Sequence, residues 1–193
     1  GRAVGPYSRA KQAQEEVARG KISEGANVTI VRPANVYGPG SGPWVDDACE
    51  LLKVGMPALI DGGNGNAGLV HVSNVVNVII AALFKEQAKG RAYNACDELQ
   101  VTWKDYFSEL AQMVGGPKPR SIPRWAAEKG ASLCETIWSK AKLKSRPLMT
   151  HEALNLIGSN HRIPSSRARE ELGFESTIGY RDAMDAIRRY LIS

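Results

Sequence analysis

Cysteine, histidine and long apolar runs are scarce in this sequence, and each scarcity excludes a class of protein. The cysteines, Cys49, Cys96 and Cys134, are an odd number and widely spaced, with no Cys-x-x-Cys. This pattern argues against a disulfide framework or a zinc site and is typical of a reducing compartment. The three histidines have no metal-ligand spacing, and no run approaches the ~20 apolar residues that span a bilayer. We therefore expect a metal-independent, cytoplasmic protein.

Charge is present but dispersed. The 193 residues carry a net charge of +5, and 43% of them are hydrophobic, which is enough for one domain with a substantial core. The one dense basic cluster, residues 140–146, has no aromatic platform that could stack on bases. We interpret it as a solvated loop and expect no nucleic-acid partner.

The first chemical signal is a tyrosine followed four residues later by a lysine, Tyr7 and Lys11. Pro6 suits the first turn of a helix, and residues four apart lie one turn from each other on the same helix face. A phenol has a pKa of roughly 10 in water, and a nearby cation lowers it. Such a pair can serve as a general acid and base for an alcohol or a ketone.

A β-branched stretch, residues 28–32, follows and indicates a buried parallel strand. Pro33 cannot continue a central ladder, so the strand is expected to end there. Ligands of open α/β sheets bind beyond the carboxyl ends of strands. Residues 33–40 are therefore expected to contact a cofactor or a substrate.

The remaining pattern predicts helices and a few short strands. The predicted helices cover residues 6–19, 44–54, 74–85, 103–114, 124–142, 151–157, 167–173 and 180–191, and the further strands cover 58–60, 69–72 and 92–96. Ser73 is expected to cap the third helix, which its apolar composition marks as buried. Thr102 with Asp105 predicts a capping box at the start of the fourth helix, and Thr150 is expected to cap the sixth. Residues 63–68 match Gly-x-Gly-x-x-Gly, but a strand follows where a dinucleotide site needs a helix. We interpret them as a flexible turn.

Together, the Tyr-x-x-x-Lys helix, the strand ending in Arg32-Pro33 and the turn Tyr37-Gly38-Pro39-Gly40 resemble the extended short-chain dehydrogenases/reductases, the NAD-dependent epimerases and dehydratases that include sterol dehydrogenases and dihydroflavonol reductases. Glu171-Leu172-Gly173-Phe174 resembles that family's last signature. The resemblance implies the C-terminal part of a Rossmann-type α/β fold, with few strands, many helices and the N-terminal nucleotide-binding half missing. Residues 1–55 would be the remainder of the Rossmann core, and 56–193 mainly the substrate region, with strand 92–96 returning to the core.

The resemblance also implies roles for residues. Tyr7 would exchange a proton with the substrate oxygen, and Lys11 would lower its pKa and hold the nicotinamide ribose. The cofactor, NAD or NADP, would be contacted by Tyr7 and Lys11 and lined by Pro33, Ala34, Asn35 and Val36, and the substrate by Asn35, Val36 and Tyr37. Hydride would move between nicotinamide and a secondary alcohol or ketone. Without the nucleotide-binding half, this fragment is expected to bind cofactor weakly and to be inactive alone.

Substrate and assembly stay open at this stage. Relatives that act on nucleotide sugars often have an arginine where this sequence has Ala67-Gly68, which favours an apolar, sterol- or flavonol-like substrate over the alternative, a nucleotide-sugar epimerase or dehydratase. A non-catalytic binding or assembly module is the third hypothesis. The helix predicted at 124–142 either packs as a cap, which we prefer, or covers an apolar substrate and touches a membrane. Strand 28–32 would expose an unpaired edge, which predicts a homo-oligomer or a strand-exchanged dimer.

Overall fold

The computed structural model describes residues 5–56, 58–140 and 150–192, and these form an α/β structure, as the sequence predicts. The helices are α1 (Pro6–Ser23), α2 (Asp47–Lys53), α3 (Val72–Phe84), α4 (Trp103–Met113), α5 (Arg124–Lys140), α6 (His151–Ile157), α7 (Ser166–Leu172) and α8 (Tyr180–Leu191). The strands are β1 (Ile30–Pro33), β2 (Asn35–Tyr37), β3 (Leu59–Ile60), β4 (Leu69–His71), β5 (Ala92–Ala95) and β6 (Ser121–Ile122).

All strands pair in parallel, in three separate ladders of two strands each. β1 pairs with β5, so that Ile30 lies opposite Ala92 and Pro33 opposite Ala95. β2 pairs with β4, and β3 with β6. Within the described residues β1 has a partner on one side only, which leaves the other row of its backbone N–H and C=O groups as an open edge.

The main core is aromatic. It joins α2, α4 and α8 around a set of side chains that includes Tyr37, Trp103, Tyr106, Phe107 and Met184. The capping box of α4 is formed as the sequence predicts. The side chain of Thr102 accepts the backbone N–H of Asp105, and the carboxylate of Asp105 accepts the backbone N–H of Thr102. Every turn of α4 carries a buried side chain, so this helix is central to the core.

A buried polar network attaches the C-terminal segment to the sheet. The side-chain amide of Asn74 donates to Asp97 Oδ1 (2.8 Å) and to the carbonyl of Ile178 (3.0 Å). Asp97 also accepts the backbone N–H of His71 (2.8 Å) and the hydroxyl of Ser176 (2.8 Å). Since Asn74 is fully buried and Asp97 nearly so, these bonds replace the water that both side chains lose.

Two helices are less buried than their sequences predict. α1 contains no buried residue, and its apolar stripe, which includes Val17, faces solvent. α3 was expected to be buried, but only one side of it packs on the sheet. The opposite side, the bare face of α3, consists of Val76, Ile79, Ile80, Leu83 and Phe84. A helix that is apolar all round is normally covered on all sides.

Several local predictions are corrected. α1 continues past Gly20 to Ser23, and α3 begins two residues early because His71 rather than Ser73 is its cap. Residues 35–37 form β2, where a loop was expected. Residues 42–46 form a π-turn ahead of α2. The end predicted for α5 at residue 142 and most of the basic cluster at 140–146 lie outside the described residues. No helix among the described residues is both long and apolar enough to cross a bilayer.

Candidate functional site

Tyr7 and Lys11 occupy one exposed face of α1, one turn apart. The ammonium nitrogen of Lys11 lies 5.7 Å from the centroid of the Tyr7 ring, within the range of a cation–π contact. Lys11 also donates to the side chain of Gln14 (3.2 Å). Tyr7 is 55% exposed, so its hydroxyl is open to a molecule that approaches this face of the helix.

An ion pair connects that face of α1 to β1. Glu15, one further turn along α1, accepts the Nε–H of Arg32 (2.8 Å) and a second bond from the same guanidinium. Arg19 binds the same carboxylate (2.8 Å). The hydrogen bond from Arg32 is the main reason why the pKa of Glu15 is lowered to about 2. The carboxylate therefore stays charged at neutral pH and holds α1 against the C-terminal end of β1.

This anchor determines where the tyrosine and the lysine lie along the strand. Arg32 is the penultimate residue of β1. α1 rises about 1.5 Å per residue, so Lys11 is displaced about 6 Å and Tyr7 about 12 Å from Glu15 along the helix axis. A helix that leads into a parallel strand runs antiparallel to it. The pair is therefore displaced toward the carboxyl end of β1, the end at which α/β sheets bind ligands.

The residues after that carboxyl end differ in accessibility. Pro33 is exposed, and Ala34 and Val36 are half-buried. Asn35 is buried. Its side-chain amide donates to the carbonyl of Ala67 (2.6 Å), and its backbone N–H donates to the carbonyl of Gly68. Of these residues, Pro33, Ala34 and Val36 keep surface that a ligand could touch, while Asn35 joins β2 to β4.

Tyr37, a predicted substrate residue, lies inside the core. Its ring is fully buried and packs edge-on against His71 (5.7 Å between centroids) and Tyr106 (5.9 Å). Its hydroxyl has no hydrogen-bond partner among the described residues. Burial, followed by the charges of Asp97 and Glu109, raises the pKa of Tyr37, so it stays neutral.

His71 packs beside Tyr37 and is also buried. Burial lowers its pKa, and its Nδ1 accepts the backbone N–H of Ser73 (3.3 Å), which leaves the ring proton on Nε2. Within the part of the chain that the structure describes, that Nε2–H has no partner. It lies beside Gly38, where an added Cβ would be 3.0 Å from the Nε2 atom. Gly38 therefore gives the histidine its space in the turn after β2.

A glutamate from the far end of the chain caps the helix that carries Tyr7. Glu152, in the first turn of α6, accepts the backbone N–H of Ser8 (2.7 Å) and of Tyr7 (3.3 Å). The hydroxyl of Ser8 donates to it as well. A Cβ on Gly5 would lie 2.7 Å from this carboxyl group, so a larger residue there would displace the Glu152 side chain from this position. A carboxylate at a helix N-terminus binds its unpaired N–H groups and its positive dipole end.

Sequence analysis missed this cap. Glu152 is separated from Tyr7 by 145 positions, so no local pattern indicates their contact. The signal that was available, Thr150 three residues before Ala153, predicts the start of α6 and is confirmed by the bond between them (3.1 Å).

The glycine-rich segment 63–68 is packed rather than flexible. A Cβ on Gly65 would lie 2.5 Å from the carbonyl oxygen of Ser159, and one on Gly68 would lie 2.6 Å from the Cβ of His161. The segment before α7 therefore covers these glycines, and they form no open cradle for phosphate. Across the described ranges, no group of three or more metal-ligating side chains gathers at one place.

Comparison with known proteins gives the same assignment as the motifs. The sequence model of the NAD dependent epimerase/dehydratase family matches residues 2–96. A ketoreductase of Stigmatella aurantiaca that acts on a farnesyl dihydroquinoline-1-oxide is 23% identical, over 95% of this chain and 55% of its own length. Sterol demethylase protein B of Methylococcus capsulatus is 26% identical, over 94% and 55%. The chain thus spans about half the length of these curated relatives.

Solved structures of the same fold include sugar-nucleotide enzymes. A dTDP-glucose 4,6-dehydratase of Streptomyces venezuelae, solved with NAD, superposes with a TM-score of 0.69 at 18% identity, over 97% of this chain and 51% of that one. A UDP-glucuronic acid 4-epimerase of Bacillus cereus, solved with NAD and its substrate, gives 0.66 at 18%, over 97% and 52%. At these identities the likeness establishes the Rossmann-type fold.

Proposed function

Because residues 2–96 carry the pattern of the NAD dependent epimerase/dehydratase family, as the motifs around Tyr7 and Lys11 indicate, we propose that the chain carries the proton-transfer and substrate-binding part of an NAD(P)-dependent oxidoreductase. The reaction is the interconversion of a secondary alcohol and a ketone. The observation that supports it is one arrangement: an exposed Tyr7 and Lys11 on one face of α1, which Glu15 and Arg32 hold near the carboxyl end of β1.

Each residue of that arrangement has a task. The hydroxyl of Tyr7 donates its proton to the carbonyl oxygen in reduction and accepts it back in oxidation. Lys11 places a positive charge beside the ring and offers N–H donors to a ribose hydroxyl. Glu152 and Glu15 hold α1 at its start and at its middle, so that the hydroxyl keeps its position during the transfer.

The exposed surface fits a nicotinamide cofactor in part. Lys11 and the accessible atoms of Pro33, Ala34 and Val36 would hold the nicotinamide riboside, and the cofactor would supply or accept the hydride. The phosphates need backbone N–H groups at a helix N-terminus that follows a strand. Residues 63–68, the motif that resembles such a cradle, are covered by residues 159–161. We assign the phosphates to a nucleotide-binding half outside this chain.

We assign an apolar ketone or alcohol, sterol- or flavonol-like, as the substrate. The position where sugar-nucleotide enzymes often have an arginine holds Ala67, which is fully buried and binds Asn35 through its carbonyl. No guanidinium is available there for a diphosphate. The curated relatives named above include an enzyme of a farnesylated quinoline and a sterol demethylase protein, which supports the same substrate class.

A substrate panel tests this assignment. We expect the natural protein that carries this chain to oxidise or reduce NAD(P)(H), followed by its absorbance, with 3-keto- and 3-hydroxysterols or flavonols. UDP-glucose and dTDP-glucose are expected to give turnover at least ~100-fold lower. Turnover of the sugar nucleotides alone would replace the proposal by the epimerase or dehydratase alternative. Failure of both classes would favour a binding module.

The same proposal explains the two uncovered surfaces. The open edge of β1 and the bare face of α3 are the surfaces that a nucleotide-binding half would cover, and in its absence a second copy of the chain can cover them. We therefore expect the isolated 193-residue chain to sediment as a dimer or larger oligomer. Leu83→Glu with Phe84→Glu, on the bare face, should shift it toward monomer. A wild-type chain that sediments only as monomer would contradict this.

A further inference from the structure

The outer face of α5 is an apolar and basic surface that no other described element covers. It consists of Trp125, Lys129, Leu133, Ile137 and Lys140. Trp125 is 63% exposed, Leu133 62% and Ile137 48%, and both lysines are exposed. Large apolar side chains that are exposed together along one side of a helix often mark a binding surface.

The outer face is separate from the side on which α5 packs. Ala127 and Ala131 are buried against Ile60 and Leu154. At 100° per residue, the five outer residues fall within about 80° of Leu133, on the side of the helix away from these alanines. The carboxylates of α5, Glu128 and Glu135, fall about 140° and 160° from Leu133. The outer face therefore presents positive charge without a negative one.

The type of side chain indicates what covers this face. Tryptophan is the residue enriched at membrane–water interfaces, and lysine can bury its stem while its ammonium reaches the headgroups. The ammonium of Lys129 lies 5.3 Å from the ring centroid of Trp125, so the positive charge and the aromatic ring lie next to each other on this face. A protein interface shares the preference for tryptophan, but its core is depleted in lysine. We propose that the outer face of α5 docks on the surface of an anionic lipid bilayer.

α5 is connected through α6 to the helix that carries Tyr7. The relevance of this connection to catalysis rests on the proposed function. His151 of α6 donates its backbone N–H to Glu135 on α5 (2.9 Å), and its ring contacts the same carboxylate (3.0 Å). The next residue, Glu152, caps the helix that carries Tyr7. Two consecutive residues of α6 therefore connect the membrane-facing helix to the proton donor.

Vesicle sedimentation with the 193-residue chain tests the docking without any catalytic step. We expect binding to vesicles of phosphatidylcholine with phosphatidylglycerol, and much weaker binding to phosphatidylcholine alone. Leu133→Glu with Ile137→Glu should lower the partition constant at least roughly hundredfold, because two apolar side chains no longer enter the interface. Lys129→Glu with Lys140→Glu should lower binding to anionic vesicles by roughly fivefold or more per lysine.

Matched variants distinguish the outer face from other surfaces. Leu83→Glu with Phe84→Glu removes similar apolar area from the bare face of α3, and Lys118→Glu changes the charge at another exposed site. At a protein concentration at which wild type and variants are all monomeric, both should bind vesicles like the wild type. Absence of binding at micromolar protein would overturn the proposal. So would binding that the α3 variant abolishes and the α5 variant does not. If the α5 variant instead dissociates an oligomer that ignores vesicles, the outer face is an interface between copies.

Discussion

Tyr7→Phe is expected to abolish turnover of the natural protein while it leaves the fold and cofactor binding unchanged. The substitution removes one exposed hydroxyl on α1, and the ring that Lys11 contacts remains. Loss of a general acid lowers a rate by roughly 10²–10⁴-fold. We therefore expect kcat to fall by that factor, with KM for the nicotinamide cofactor within about twofold of the wild-type value.

Tyr190→Phe is the matched control. Tyr190 is another partly exposed tyrosine, on α8 rather than at the candidate site, and its phenylalanine variant should retain full kcat. Lys11→Met should resemble Tyr7→Phe in kcat and also raise KM for the cofactor, because it removes the proposed ribose contact. A Tyr7→Phe protein with more than about half of the wild-type kcat would show that the proton donor is elsewhere.

Asn74→Ala is expected to cause the largest loss of stability among substitutions away from the candidate site. Asn74 is fully buried and binds Asp97 and the backbone of Ile178. Alanine would leave Asp97 with one donor fewer and the N–H and C=O of Ile178 unsatisfied. Each buried polar group left without a partner costs about 1–3 kcal/mol. We expect the free energy of unfolding to fall by about 3–5 kcal/mol, measured by urea titration.

Asn77→Ala, one turn later on the same helix, is the control. Asn77 is half-buried and donates a single hydrogen bond, to Thr177 (3.0 Å). Because water can replace that bond, we expect a loss below about 1 kcal/mol. Equal losses for Asn74→Ala and Asn77→Ala would mean that the network around Asp97 does not hold the C-terminal segment to the sheet.

The sequence predicted the elements that local chemistry determines. Thr102 with Asp105 predicted the start of α4, and Thr150 predicted the start of α6, because capping depends on residues three positions apart. Tyr7 and Lys11 fall on one face of α1 as their spacing requires. The β-branched residues 28–32 predicted a parallel strand, and β1 is parallel to β5.

The contacts that orient the candidate site could not be predicted in the same way. Glu152 on the N-terminus of α1 and Arg32 on Glu15 join positions far apart in the chain, and neither pair has a local pattern. The same reason explains the glycines at 63–68. Their sequence resembles a phosphate-binding loop, but the absence of a Cβ at Gly65 and Gly68 allows Ser159 and His161 to pack closely against them. The apolar sequence of α3 predicted burial on all sides. It does not specify which element covers each side, so the exposure of one side could not be predicted.

The central claim is that Tyr7 donates a proton while hydride passes to the substrate carbon, and deuterium transfer tests it most directly. The natural protein that carries this chain would be incubated with a 3-ketosterol and NADH or NADPH deuterated at C4 of the nicotinamide. The account predicts one deuterium on the carbinol carbon of the product with the wild-type protein, and formation of that product roughly 10²–10⁴-fold more slowly with Tyr7→Phe. Deuterium in the product of Tyr7→Phe at the wild-type rate would contradict it.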